Sequence, residues 1–257
     1  MIYKRVTARL RAQDWLAITI ELGIVVLGVF IGTQVSNWNA GRIDRADTAR
    51  MLAQLRPELR AQVDFYDTAK AYYATTRRFA VVALAGWAGD TRVSDNAFVI
   101  AAYQASQIQG VGTNSDTWAN IFGAERLRTI DDPAIRRDLS FLMYSDNSTI
   151  GVNAVDTPYR RNLRRVIPIE TQDVIRTRCG DYTPVGRANV VLLPETCHLT
   201  LPPDKAAAAA AALRAHPDLV DDLNWHVAAA AAFLANMQTF DSTTHKLLRE
   251  MRDGGQH

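Results

Sequence analysis

The feature of this chain that most constrains its fold is a near-continuous apolar run from Leu16 to Val35. At a helical rise of about 1.5 Å per residue the run is about 30 Å long, which matches the hydrocarbon core of a bilayer. Trp15 and Trp38 bracket it at about 34 Å along a helix, a spacing suited to aromatic anchors at both membrane interfaces. We therefore predict a transmembrane signal-anchor helix over residues 15–38.

The flanks of this helix predict its orientation. Residues 1–14 carry four basic side chains and one acidic one, whereas residues 41–50 carry three arginines and two aspartates. Basic flanks stay in the cytoplasm, and a long downstream domain crosses the membrane largely regardless of its charge. We therefore predict a bacterial inner-membrane protein with cytoplasmic residues 1–14 and periplasmic residues 39–257. The alternatives are a cleaved signal peptide, whose apolar core would be shorter, and a buried helix of a soluble protein.

The two cysteines agree with export of the domain. Cys179 and Cys197 are the only cysteines of the chain, and both follow the apolar run. A minimal, even number of cysteines in an exported domain indicates one disulfide, which would stabilise the fold by about 3 kcal/mol. The alternative is a pair of free buried thiols.

The fold class predicted for residues 39–257 is all-α, an extracytoplasmic bundle of long helices that continues from the anchor. Apolar residues recur at spacings of three and four, whereas no segment of comparable length alternates with the period of a strand. Pro57 is expected to kink the first helix or to begin a new one. Residues 179–203 are rich in turn formers and predict a small loop or hairpin held by the disulfide. The predicted helices cover residues 52–84, 96–109, 117–127, a segment starting at Pro133 after Asp132, 159–175 with a break at Pro168, 206–212, and 217–251.

The apolar run also carries the motif E-x6-G-x5-Q-x2-N-W-N. Its residues are Glu21, Gly28, Gln34, Asn37, Trp38 and Asn39. The motif resembles the opening of an uncharacterised family of bacterial membrane-anchored proteins, known as a domain of unknown function. Residues 117–123, with Leu127, Ile130 and the helix from Pro133, resemble the family's T-[YW]-x2-[LI]-x-x-G element.

The resemblance covers roughly residues 15–60 and 115–145. It implies a single-pass protein with a helical extracytoplasmic domain, and it implies no activity. The stretch between Cys179 and Cys197 has no counterpart in the family pattern.

One face of the predicted transmembrane helix is a candidate contact surface for another helix. Glu21 lies about 8 Å inside the cytoplasmic edge, where a charged group costs less than the roughly 2.5–3.5 kcal/mol it costs at the centre. This carboxylate either contacts another helix or reaches the headgroups through tilting of its own helix. Gly28 and Gly32 would permit close approach of two backbones, although glycine is also common in such helices. The candidate face comprises Glu21, Val25, Gly28, Gly32 and Ser36.

A second candidate site is a basic patch on the helix predicted over residues 159–175. Its side chains are suited to an anionic ligand, a lipid phosphate or the acidic face of a partner protein. The alternative is a solvated face whose charges pair with Asp156 and Glu170. The patch consists of Arg160, Arg161, Arg164 and Arg165.

Other function classes find little support in the sequence. The histidines lack the spacing of metal ligands, and His226 is predicted to be an ordinary buried histidine. Gly110 and Gly112 lack the other residues of a phosphate-binding loop, and no nucleophile motif occurs. A net charge of +2 argues against a nucleic-acid surface. We therefore expect no cofactor, no metal and no catalysis, with a dispersed active site as the open alternative.

The sequence thus predicts a non-enzymatic interaction or scaffold protein. Its expected partners are the lipid bilayer and either a second copy of the chain or another inner-membrane protein. The alternative is an extracytoplasmic module that senses a small ligand. Because residues 1–14 are too few for an effector domain, such a module would signal through a membrane partner.

Overall fold

The computed structural model describes residues 15–109, 127–144, 157–187 and 190–253. Within these ranges the chain is helical and forms no strand, apart from one isolated antiparallel bridge between Tyr182 and Leu192. The all-α prediction is therefore confirmed for the described residues. The helices are α1 (Trp15–Trp87), α2 (Asp95–Ala105), α3 (Pro133–Tyr144), α4 (Pro158–Val166), α5 (Ile169–Cys179), α6 (Pro203–Arg214) and α7 (Asp218–Asp253).

Helix α1 is uninterrupted over 73 residues, or about 110 Å. Within the described residues it is the one helix long and apolar enough to cross a membrane. Thr48 has the first buried side chain among those that the structure describes in this helix, so we call residues 15–47 the apolar half and residues 48–87 the packed half. Pro57 lies inside the packed half, and the expectation that it begins a new helix is wrong. The loss of one backbone hydrogen bond is tolerated there because the flanking residues Leu55 and Leu59 are fully buried.

Helix α7 runs antiparallel to the packed half of α1. Near one end the guanidinium of Arg56 donates to the backbone carbonyl of Met251. Farther along α1, the ring of Tyr73 packs edge-on against Phe233 at 5.7 Å between centroids. Between these helices and α3 lies a buried apolar cluster that we call the lower core. Its largest contributions come from Leu55, Leu59, Tyr66, Leu139, Met237 and Leu247.

Helix α2 folds back along the distal end of α1. A short turn joins the two helices, and Ser94 begins α2 by accepting a hydrogen bond from the backbone N–H of Ala97. The ring of Phe98 packs edge-on against Trp87 at 5.0 Å. Gly86 makes this packing feasible, because a methyl group at its Cα would overlap the Phe98 ring. Helices α2, α4 and α6, with the start of α7, complete a second cluster that we call the upper core.

Capping side chains account for the observed helix starts. The carboxylate of Asp132 accepts hydrogen bonds from the first turn of α3, at 2.8 Å from the nitrogen of Ala134. Thr157 caps α4 in the same way, and Pro168 separates α4 from α5 as predicted. Helix α2 ends at Ala105, before the predicted end at residue 109. There the hydroxyl of Ser106 donates to the carbonyl of Tyr103, a side-chain bond that competes with continuation of the helix.

The predicted disulfide is present. Cys179 at the end of α5 is joined to Cys197, with 5.5 Å between their Cα atoms. The intervening loop returns to the bundle at Leu193, which packs against Tyr72 and Tyr73 of α1. The bridge thereby fixes this loop beside the middle of the packed half. The helix predicted over residues 117–127 lies outside the described residues, except for Leu127 at its end.

Candidate functional site

The structure leaves the candidate contact face of α1 open. Glu21, Val25 and Ser36 are exposed, and a Cβ atom added at Gly28 or Gly32 would meet no atom within 4 Å. This face therefore contacts nothing in the part of the chain that the structure describes.

The two expected interfacial anchors are also exposed. Trp15 and Trp38 have exposed fractions of 67% and 63%. The guanidinium of Arg42 lies over the ring of Trp38, at 5.8 Å from its centroid. A basic side chain stacked on an aromatic anchor is consistent with an interface between apolar and polar surroundings.

The four arginines of α4 fall on two sides of the helix. Arg160 and Arg164 turn towards the bundle and are partly buried, whereas Arg161 and Arg165 are exposed. Residues four apart share a helix face, and adjacent residues do not. The predicted patch is thus divided into an inner pair and an outer pair.

The inner pair belongs to a group of buried and partly buried polar side chains from three elements. They come from the end of α2 and the residues after it, from α4 with its cap, and from α7. Their burial is notable because glutamine and arginine are seldom found inside a fold without polar partners. We call the group the polar cluster, and its members, joined by the contacts below, are Tyr103, Ser106, Gln107, Thr157, Arg160, Arg164 and His226.

Both inner arginines are held by neutral acceptors. Arg160 Nη1 donates to the carbonyl of Ser106 at 2.9 Å and to Gln107 Oε1 at 3.3 Å. Arg164 Nη2 shares the same Gln107 oxygen at 3.3 Å, and its guanidinium lies 4.2 Å from the ring centroid of Tyr103. Among the described residues no carboxylate forms an ion pair with either arginine, while nearby Arg176 pairs with Asp173.

This arrangement disfavours the charge of Arg164. Burial is the largest cause that lowers the pKa of its guanidinium, and the positive charges of Arg160 and Arg176 lower it further. A buried cation beside other cations is normally balanced by an anion. The polar cluster therefore carries positive charge that the described side chains leave uncompensated.

His226 contributes an uncharged ring to the cluster. Its Nδ1 lies 2.8 Å from the hydroxyl oxygen of Thr157. Burial, with a further contribution from Arg160, lowers the pKa of His226 to about 4, so the ring is neutral at neutral pH. Its other nitrogen, Nε2, is buried, and a hydrogen bond with the backbone of Ala105 opposes part of the lowering of the pKa.

Hydrogen bonding of the buried polar side chains in and near the cluster is incomplete among the described residues. Most buried polar groups in proteins are hydrogen-bonded, either to other protein groups or to ordered water. Within the described ranges, the buried side-chain atoms without a hydrogen-bond partner include Arg164 Nε and, in α2 and just after it, Gln104 Oε1 and both polar atoms of the Gln109 amide.

Tyrosines from α1 and α4 surround the cluster. The Tyr159 hydroxyl donates to the carbonyl of Ala102 at 2.9 Å, and the Tyr72 hydroxyl donates to Asp181 Oδ2 at 3.3 Å. Burial raises the pKa of Tyr73 to about 12, partly offset by a hydrogen bond from the backbone of Gln109 and by the charge of Arg160. These phenols are thus neutral, and their rings provide apolar walls next to polar groups.

Sequence reasoning named Arg160, Arg164 and His226 but missed the glutamines. A signal was present, because Gln104, Gln107 and Gln109 interrupt an otherwise apolar segment at the end of a predicted helix. Their spacing alone does not show that Gln107 meets the arginines of α4, since that contact depends on the packing of α2 against α4.

The arrangement is suited to binding. The inner arginines, a phenol and an amide provide hydrogen-bond donors, and the glutamine oxygens provide acceptors. Within the described residues no group of three or more histidine, cysteine or acidic side chains is placed to hold a metal ion. The polar side chains of the cluster are able to form hydrogen bonds with a polar or anionic molecule.

Comparison with protein families, with curated proteins and with solved structures gave no match to this chain. The resemblance carried by the anchor motif therefore stays a prediction.

Proposed function

We propose that this chain is a non-enzymatic scaffold of the bacterial inner membrane, anchored by α1, with its helical domain in the periplasm. The observation that carries the proposal is the contrast within α1. Its packed half forms the centre of the domain, whereas its apolar half makes no packing contact with the described chain. A helix built in this way connects a folded domain to something outside it.

The surroundings that suit the apolar half are lipid and the helices of other proteins. Its large apolar side chains include Leu22, Leu27 and Phe30, with exposed fractions of 58–63%. Exposed apolar surface of this extent in water is unfavourable by about 25 cal/mol per Å². Basic residues before the helix support a cytoplasmic N-terminus, and a disulfide in the domain supports an oxidising compartment.

The open face of α1 is the surface we assign to a partner helix. Gly28 and Gly32 leave room for a second backbone, and Glu21 on the same face adds a polar contact. The partner is a second copy of the chain or another inner-membrane protein.

In-cell crosslinking of the full-length tagged chain tests this function. We expect detergent purification and mass spectrometry to recover a stoichiometric partner or a defined oligomer. Glu21→Leu and Gly28→Leu should abolish that crosslink, while Gly23→Leu, on the opposite side of the helix, should leave it unchanged. Identical crosslinks for all three variants would reject the role of this face.

A second candidate function is supported by the polar cluster. A small molecule bound there would contact α2, α4 and α7. Helix α2 packs against α1, which continues without interruption towards residue 15. The chain would then act as a ligand-sensing module. Its signal would pass along α1 to a membrane partner.

A further inference from the structure

We propose that Trp38, Arg42 and Arg45 form a binding site for the headgroup of an anionic phospholipid in the periplasmic leaflet of the inner membrane. The proposal rests on the membrane anchoring proposed above and names the class of lipid that the apolar half of α1 selects. It requires neither a partner helix nor a ligand at the polar cluster.

The three side chains lie on one face of α1, which is helical throughout this segment. At about 100° per residue, Arg42 and Arg45 fall within about 40° of Trp38 around the helix axis. Asp44 and Asp47 lie about 120° and about 180° from Trp38. The acidic residues of the segment are therefore on other sides of the helix than the two arginines.

Both arginines have a charge that is free to bind an anion. Arg42 and Arg45 are exposed, and among the described residues neither guanidinium has a carboxylate partner. Arg50, farther along the same segment, pairs with Asp47 instead. The described chain therefore leaves the positive charge of this face unbalanced.

The side chain of Arg42 points back towards the apolar half. Its Cα lies about 6 Å beyond that of Trp38 along the axis. Its guanidinium nevertheless lies over the Trp38 ring, at 5.8 Å from the ring centroid. Side chains of a helix lean towards its N-terminus, so the Cα–Cβ bond of Arg45 is directed the same way. Both arginines therefore extend from the domain side towards the expected membrane surface.

The height of these groups matches a layer of headgroups. A bilayer is about 30 Å thick in its hydrocarbon core and about 40–45 Å thick with headgroups, which leaves about 5–8 Å for each leaflet. Arg42 and Arg45 lie about 6 Å and about 10 Å beyond Trp38, the anchor expected at the edge of the core. An arginine side chain is long enough to bring its guanidinium back into that layer, so a lipid phosphate is within reach of both.

The domain leaves room for a lipid at this height. Trp38 is 63% exposed. The first buried side chain described in α1 is that of Thr48, whose hydroxyl oxygen lies 2.8 Å from Oγ1 of Thr129. Because Thr48 lies about 15 Å beyond Trp38, the packed part of the domain begins above the headgroup layer.

The charge of the site selects the class of lipid. A guanidinium forms paired, charge-assisted hydrogen bonds with phosphate oxygens. In phosphatidylcholine and phosphatidylethanolamine the headgroup cation cancels the charge of the phosphate and would be repelled by two arginines. A headgroup with an uncharged alcohol keeps its net negative charge, so phosphatidylglycerol is the lipid that fits.

Native mass spectrometry of the full-length chain in detergent measures this preference. The probes are phosphatidylglycerol and phosphatidylcholine with identical acyl chains, each titrated at low ionic strength. Basic residues near a membrane surface favour anionic lipid, and two of them should lower the Kd for phosphatidylglycerol about tenfold relative to phosphatidylcholine. Millimolar inorganic phosphate should not displace the lipid, because it makes no contact with the apolar surface of α1.

Matched variants locate the binding. The double variant Arg42→Gln, Arg45→Gln should lose most of the preference for phosphatidylglycerol. Arg50→Gln removes an exposed arginine from another side of the same segment and should leave the preference unchanged. Trp38→Leu keeps the net charge but removes the stacked ring, and it should weaken the binding of phosphatidylglycerol about threefold. All four positions are exposed, and circular dichroism checks that the variants fold.

Four outcomes would overturn the proposal. They are an equal Kd for the two lipids, a preference that the double variant retains, displacement of the lipid by phosphate, and unchanged binding in Trp38→Leu. The last two would indicate a site for free anions and a general attraction between charges, respectively.

Carbonate extraction of bacterial membranes tests the anchoring separately. A chain released into the supernatant would reject the anchoring and this site with it. A chain that stays in the membrane but has an equal Kd for the two lipids would reject the lipid site alone.

Discussion

The two halves of α1 share one helix but have opposite surroundings. Between residues 15 and 35 large apolar side chains are exposed around the helix, whereas from Thr48 onwards one face is buried against α2 and α7. Continuous helical structure therefore says nothing about where a helix resides. The distribution of apolar residues around the helix distinguishes a span from a core element.

The halves also differ in what stabilises them. The packed half depends on tertiary contacts, as most helices in soluble domains do. The apolar half has no such contacts within the described chain and depends on its surroundings. Paired substitutions, one in each half or its neighbourhood, separate these two sources of stability.

The largest difference is expected for leucine truncation. Leu59 is fully buried in the lower core, so Leu59→Ala should destabilise the domain by about 3 kcal/mol through lost burial and a cavity. Leu27 is 58% exposed, and Leu27→Ala should leave the unfolding of the domain unchanged. Urea unfolding of the full-length chain in mild detergent, followed by near-UV circular dichroism, measures both. Equal losses would mean that the two halves unfold as one unit.

Acid should affect the packed half alone. The folded pKa of His226 is about 4, below its ordinary value of 6.5, so the unfolded chain binds more protons between these pH values. The stabilisation is present above pH 6.5 and is lost as the pH falls towards 4, by about 2 kcal/mol between pH 7 and pH 5.

Hydrogen exchange along both halves of α1 at pH 7 and pH 5, corrected for the intrinsic rate, measures this effect. Only the packed half should lose protection. His226→Asn keeps a polar atom near Thr157 but does not titrate, and it should reduce the pH dependence. An unchanged pH dependence in this variant would assign the effect to other groups.

Glycine substitution should have opposite consequences in the two halves. Gly86→Ala introduces a methyl group into the buried ring of Phe98 and should cost about 1–2 kcal/mol. The methyl group added by Gly41→Ala meets no atom within 4 Å. This substitution should therefore be neutral or slightly stabilising, since alanine favours a helix. Thermal unfolding of both variants tests this expectation. A stable Gly86→Ala protein would show that the Phe98 ring has room to move.

The smallest difference is expected for ion pairs. Asp47 pairs with Arg50 on an exposed surface, and Asp47→Asn should change stability by less than about 0.5 kcal/mol. Asp241 is largely buried and pairs with Lys70 of the packed half, so Asp241→Asn should cost about 1 kcal/mol. Denaturation at low and high salt separates the two cases, because only the exposed contribution should be screened.

Local signals predicted much of the fold. Proline after a capping residue located the start of α3 at Pro133, and Pro168 located the break between α4 and α5. The cysteine pair predicted its own disulfide. The helix start and the helix break are signalled by residues next to them. The disulfide is predicted because the chain has only two cysteines to pair.

Features that depend on tertiary packing were harder to predict. Pro57 looked like a helix boundary, but burial of its neighbours keeps α1 continuous. The four arginines of α4 were predicted as one patch, whereas the structure turns Arg160 and Arg164 inwards. The inward direction follows from the position of α2, which no local pattern specifies. The buried glutamines were missed for the same reason.

Because α1 is one continuous helix, the direction in which side chains point at one end fixes the direction in which they point at the other end. The open face that includes Gly28 and the surface that packs from Thr48 onwards belong to one helical register, so neither can turn without the other. One residue inserted between Trp38 and Thr48 would rotate the domain by about 100° relative to that face and lift it by about 1.5 Å. Seven inserted residues would nearly restore the angle while lifting the domain by about 10 Å. The number of residues between the two ends therefore sets both the rotation and the height of the domain relative to the open face.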